Sequence, residues 1–130
     1  MPRNKIFTTI DSPFSTWHRC QHDGINMVDL DVVGICPACA KPLFLADSIY
    51  NKDFRFIGKS NWLRTPYKFL AVKAEIPYYE FFYTVDESQA SRGIRPIIRF
   101  DITRIYPHCD KKWRNLTPGD MLLFLEHMSL

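Results

Sequence analysis

Hydrophobic and polar positions alternate along residues 27–33. Val28, Leu30 and Val32 fall on one side and Asp29 and Asp31 on the other, the period-two pattern of a half-buried strand. Gly34 closes that strand, and Cys36-Pro37-Ala38-Cys39 follows at once. The same alternation returns over residues 96–106, where Ile98, Phe100 and Ile102 share one face and Arg99, Asp101 and Thr103 the other. Alternation alone directs the second, charged set to solvent. Residues 5–10 predict a further short strand. Residues 67–74 and 78–85 are rich in aromatic and apolar side chains and predict two more, parted at Ile76-Pro77 because proline donates nothing to a sheet ladder. Residues 50–68 and 86–93 lack a period and predict loops.

The C-terminus predicts a helix. Thr117 suits the N-cap, Pro118 the first helical position and Asp120 the positive end of the helix dipole. Leu116 and Met121 are spaced for a hydrophobic staple, and Met121, Leu122, Leu125 and Met128 supply an apolar face. The expected architecture is α+β: a cysteine-bearing hairpin over 17–45, then an antiparallel sheet of about three strands with a C-terminal helix over 66–130, all within one domain of 130 residues.

Composition narrows this picture. Ten Phe, six Tyr and three Trp are enough to build a packed core, so a disordered chain is excluded. No apolar run reaches the ~20 residues of a membrane helix, and residues 1–7 do not resemble a signal peptide. The expectation is a cytoplasmic protein without membrane contact. The net charge of +3 is uneven. Residues 1–50 hold four Lys/Arg against five Asp/Glu, so residues 51–130 carry the whole basic excess.

In a reducing compartment clustered cysteines point to a metal rather than to disulfides. Cys36 and Cys39 are two residues apart, so a tight turn aims both sulfurs at one point, and Pro37 presets that turn. Cys20 and His22, at i and i+2, share a face if extended. The residues between the pairs hold the Asp23-Gly24 turn and the alternating strand, enough for a hairpin that unites them. The favoured ligand set for a structural Zn2+ is Cys20, His22, Cys36 and Cys39, with His18 or the distant His108-Cys109 as alternative sources of the fourth ligand. Four protein ligands leave no open position for catalysis. The competing readings are buried free thiols and a redox pair; the second lacks the strand–helix alternation such pairs use. Residues 36–43 resemble the second knuckle of the zinc-ribbon class, and Cys20-Gln21-His22-Asp23-Gly24 resembles a variant first knuckle. The likeness covers 17–45 and implies a metal-stabilised hairpin.

The rest of the chain points to binding. Arg55, Lys59, Trp62, Arg64 and Lys68, with Arg99 on the last long strand, mix cations with aromatic rings, the pair of chemistries that neutralises phosphates and stacks unpaired bases. The bland reading puts Trp62 and Trp113 in the core and Arg99 on an ordinary solvated face. A protein partner, or a homodimer, is the alternative, through the aromatic strand Tyr78-Tyr79-Glu80-Phe81-Phe82-Tyr83 if one of its faces is exposed. A nuclease-type enzyme is the weakest reading: Glu75, Glu80 and Asp101 show no paired spacing, His108 beside Cys109 suits a loop better than a nucleophile and base, and no glycine-rich phosphate loop occurs.

Overall fold

The computed structural model describes residues 31–88 and 96–128. The Cys20–His22 pair, the strand expected at 5–10 and most of the 27–33 alternation lie outside them. Five strands and two α-helices run in the order β1 (Val32–Ile35), β2 (Pro42–Tyr50), α1 (Asn61–Ala74), β3 (Tyr78–Val85), β4 (Ile97–Tyr106), β5 (Lys112–Leu116) and α2 (Pro118–Met128), with a short 3-10 turn at Lys52–Phe54. They form one sheet ordered β1-β2-β3-β4-β5. The pairs are antiparallel except β2 with β3, which run parallel with Ala46 beside Tyr79 and Asp47 beside Glu80. A parallel pair needs a crossover, and α1 is that crossover.

The sheet is therefore mixed and five-stranded, not antiparallel with three strands. A separate zinc-ribbon module is not shown: β1 and β2 are the first two strands of the main sheet. Strand β1 also runs on through Gly34 to Ile35. The ring of Phe44, its cross-strand partner, occupies the space a β-carbon at position 34 would need, 1.9 Å from Cε2. Lys112–Leu116, not anticipated as a strand, completes the far edge beside β4.

The two helices cover opposite faces. On one, Phe44, Ala46, Tyr79, Phe81 and Ile102 pack against Met121, with Trp113, Phe124 and Leu125 around them. On the other, Leu45 and Tyr78 pack against Tyr67, Ala71 and Ile76 of α1 and its exit. Neighbouring residues such as Phe44 and Leu45 serve different cores because side chains alternate across a strand. Helix α2 begins as expected. Thr117 Oγ1 accepts from Asp120 N–H and Asp120 Oδ2 accepts from Thr117 N–H, both at 3.0 Å, a reciprocal box. Its inward face uses Phe124, and Leu122, expected inside, is 62% exposed.

Residues 61–74 are helical, which corrects the strand expected at 67–74. Ser60 caps the start, its Oγ accepting from Leu63 N–H. The end is a Schellman closure: Ile76 N–H donates to Ala71 O at 3.0 Å and Glu75 N–H to Val72 O at 3.2 Å, with Glu75 left-handed at φ 58°. Strands 78–85 and 97–106 agree with expectation. The face of Arg99 and Asp101 does not. It lies under residues 51–60 and α1, and Asp101 is wholly buried.

Candidate functional site

The hairpin turn between β1 and β2 carries Cys36 and Cys39. Cys36 N–H donates to Lys41 O and Ala40 N–H to Cys36 O, both at 2.8 Å, closing a compact loop. The backbone N–H of Cys39, then that of Ala38, then the Cys39 thiol are directed at the Cys36 sulfur and hold its pKa below the ordinary thiol value. Donors aimed at a sulfur stabilise a thiolate, the form that binds a metal. Ala40 takes φ 62°, a left-handed conformation that lets the chain turn back into β2. These features fit two of the four ligands of a thiolate-rich tetrahedral site. Cys36, Cys39 and Cys109 are free thiols. Among the described residues no group of three or more candidate ligands converges. His108 and Cys109 sit on the turn between β4 and β5, at the same end of the sheet as the Cys36–Cys39 turn but three strand spacings away, about 14 Å. His108 instead lies 3.1 Å from Asp110.

On the α1 face the fold gathers three carboxylates that sequence spacing did not connect. Asp47, Glu80 and Asp101 are each fully buried on neighbouring strands. Glu80 is held by Arg64, with Nη2 to Oε1 at 2.7 Å and Nε to Oε2 at 3.0 Å, and by the Lys59 N–H at 2.9 Å. Asp101 receives the Arg99 guanidinium on both oxygens and the N–H of Asn115, which a bulge in β5 frees from the ladder. Asp47 Oδ2 accepts from Tyr78 O–H at 2.5 Å while Oδ1 has no partner. Burial, offset in part by that hydrogen bond, raises the Asp47 pKa above the usual carboxylate range. Burial and the neighbouring Asp47 push Tyr78 far above the ordinary phenol value. Two of the carboxylates are occupied by guanidinium groups and all three are closed to solvent, so they act as a scaffold that ties α1 and the 51–60 segment to the sheet. Position 58 has to be glycine for this: a β-carbon there would lie 2.2 Å from Glu80 Oε1 and 2.3 Å from Arg64 Nη2.

The residues expected to contact nucleic acid therefore divide. Arg64 and Arg99 hold buried carboxylates, and the face of Arg99 is not a solvated one. Arg99 also lies over the rings of Phe54 and Phe56, and Arg114 over Phe56 at 4.3 Å. Arg55 and Lys68 are exposed and Lys59 is half-buried. Trp62, which the bland reading put in the core, is 64% exposed. It stands on the outer side of α1 with Phe69, also 64% exposed, and with Leu70 and Val72. Helix α1 carries Arg64, Lys68 and Lys73 and no acidic residue, and the Lys73 ammonium lies 5.7 Å from the Phe69 ring centre. Trp113 does pack inward, against Phe124. In the aromatic strand β3, Tyr79 and Phe81 lie under α2 and Tyr78, Glu80 and Phe82 are buried on the other side, while Tyr83 is partly exposed beside Tyr50.

No helix among the described residues is long and apolar enough to cross a membrane. Comparison of the chain with protein-family models, with curated proteins and with solved structures finds no match.

Proposed function

We propose that this is a zinc-stabilised nucleic-acid-binding protein. In this reading Cys36 and Cys39 supply two ligands of a structural Zn2+, and Cys20 and His22 complete it. The contact surface is the outer side of α1 and the turn before it. The observation that carries the binding half is Trp62, largely exposed on a rigid helix that bears three cations and no acid. Trp62 and Phe69 are two helical turns apart, so their rings lie along one stripe and can each stack an unpaired base. Lys68, Lys73 and Arg55 neutralise phosphates beside them, with Lys59 at the margin, while Arg64 and Arg99 brace the scaffold beneath.

Fluorescence anisotropy with labelled single-stranded and duplex DNA and RNA tests this. The expected result is preference for a single strand, with affinity that falls as salt rises by about 0.7 log units per log unit for each phosphate contact. Trp62→Ala should cost about tenfold, in line with ~1–3 kcal/mol for a stacked base. Metal analysis of untagged protein tests the other half: zinc at one per chain in the wild type, lost in Cys36→Ser.

A second reading is favoured by the aliphatic part of the same surface. Leu70 and Val72 are about half exposed on either side of Phe69 around the helix, and exposed apolar area of that kind marks protein interfaces. Absence of nucleic-acid binding at low salt, with zinc present, would leave a protein partner as the occupant of α1.

A further inference from the structure

A cavity of about 610 Å³ opens at the end of the sheet where the parallel strands β2 and β3 finish. Ligands of α/β sheets collect outside the carboxyl ends of parallel strands, because the connecting segments diverge there. The volume lies within the range of small-molecule sites, roughly 300–1,000 Å³. Two of its lining residues, Asn51 and Thr84, carry buried polar atoms without a partner, Asn51 Nδ2 and Thr84 Oγ1. Buried polar groups are nearly always hydrogen-bonded, and two exceptions on one cavity call for a cause.

The orientation of Asn51 follows from its neighbours. Its backbone N–H donates to Tyr83 O at 2.8 Å, and its Oδ1 accepts from Phe56 N–H at 3.0 Å. A backbone N–H only donates, so the oxygen is fixed on that side and the amide nitrogen is the atom left over. Asn51 is 4% exposed, so water does not reach this donor freely. The segment that closes over it is strained: Asp53, Phe54 and Phe56 are non-glycine residues at φ 63°, 53° and 53°. Such backbone persists where surroundings impose it and clusters at ligand clamps.

We infer that this cavity is a binding site for a small, uncharged, planar heterocycle bearing a carbonyl, of the nucleoside class without phosphate. The amide nitrogen requires an acceptor, which the ring carbonyl supplies, and the Thr84 hydroxyl serves a second polar edge atom. Val85 and Ile98 give the apolar walls for a flat ring. At the rim Asp53, Asp86 and Glu87 outnumber Lys52, a field that repels phosphate. Entry displaces the Lys52–Phe54 turn, and its left-handed residues make that turn the part that yields.

Titration of the intact protein with uridine, cytidine, adenosine and guanosine, and with their monophosphates, followed by NMR amide shifts, tests the site. At least one nucleoside should bind with Kd below about 1 mM and shift amides of residues 51–56 and 84–86, and its monophosphate should bind at least about tenfold more weakly. Thr84→Val keeps the side-chain shape and removes the unpaired hydroxyl; it should weaken the nucleoside about tenfold without lowering Tm. Asn51→Ala should abolish binding but also frees Phe56 N–H, so Thr84→Val is the decisive variant. No shift with any nucleoside, equal affinity in Thr84→Val, or tighter binding of the monophosphate would each overturn the inference.

Discussion

A β-carbon at position 58 would stand within 2.3 Å of both partners of the Arg64–Glu80 ion pair, so one hydrogen on one glycine decides whether that pair can form. Glu80 is buried and Arg64 is only 24% exposed, which makes the pair costly to break even though its net worth against a hydrophobic substitute is small. Gly58→Ala should lower unfolding stability by about 3 kcal/mol in urea titration. A change under about 0.5 kcal/mol would mean that the 58–60 segment does not press on the pair. Asp47 gives a pH prediction. Its folded pKa is raised above the unfolded value, so the folded state binds the proton more tightly. Its contribution is most favourable below the ordinary carboxylate range and is lost as pH rises through the raised folded value. Asp47→Asn removes the titration. Its stability should change less with pH than that of the wild type from about pH 4 upward, and a parallel pair of profiles would count against a buried, proton-binding Asp47.

Helix α1 shows why local pattern misleads. Residues 67–74 contain aromatic and β-branched side chains that favour strands, and Pro66 stands just before them. Only Tyr67 and Ala71 of this helix are fully buried, a stripe too narrow to write a 3.6-residue period over Trp62, Phe69, Leu70 and Val72. Its end is a Schellman closure with Glu75 where glycine is usual. Glu75→Gly should therefore stabilise the protein by about 0.5–1 kcal/mol, against the ordinary cost of glycine in a helix. Stability that falls instead would show that the Glu75 side chain matters more than its backbone. Helix α2 is the opposite case. Its cap and first-turn proline are local signals, and they stand in the structure as the sequence implied, while Leu116 and Met121 both join the core beneath the helix. Thr117→Ala removes one arm of the reciprocal box and should cost about 1 kcal/mol, read by thermal unfolding.

At the scale of the molecule, the parallel pairing of β2 with β3 reorganises everything the strands imply singly. It sets Asp47 beside Glu80, sends α1 across one face, and turns the charged alternation of β4 from a solvated side into a buried network. It also leaves the outer side of α1 as the uncovered, basic and aromatic surface. Trp62→Ala should accordingly leave Tm nearly unchanged, because a side chain exposed to this degree contributes little to the core. A large drop in Tm would show that Trp62 is covered in solution, as a homodimer through α1 would cover it. If Cys36 and Cys39 hold zinc as proposed, a chelator should loosen the β1–β2 edge first, seen as faster amide exchange at residues 32–46, while α2 and β4 hold their protection; unchanged exchange would count against the proposed metal.

The sequence by itself determined the elements whose cause is local: the aromatic strand β3, the alternating strand β4, the capped helix α2, and the tight turn that brings Cys36 and Cys39 together. Each depends on residues within a few positions of one another, where sterics, capping hydrogen bonds and side-chain period act directly. Tertiary structure alone decided the parallel pair, the helical state of 61–74, the burial of Asp47, Glu80 and Asp101, and the cavity at Asn51 and Thr84. Those outcomes depend on which distant strands become neighbours. The free energy of pairing and desolvation at such contacts outweighs the few tenths of a kcal/mol per residue, roughly, that local propensity expresses.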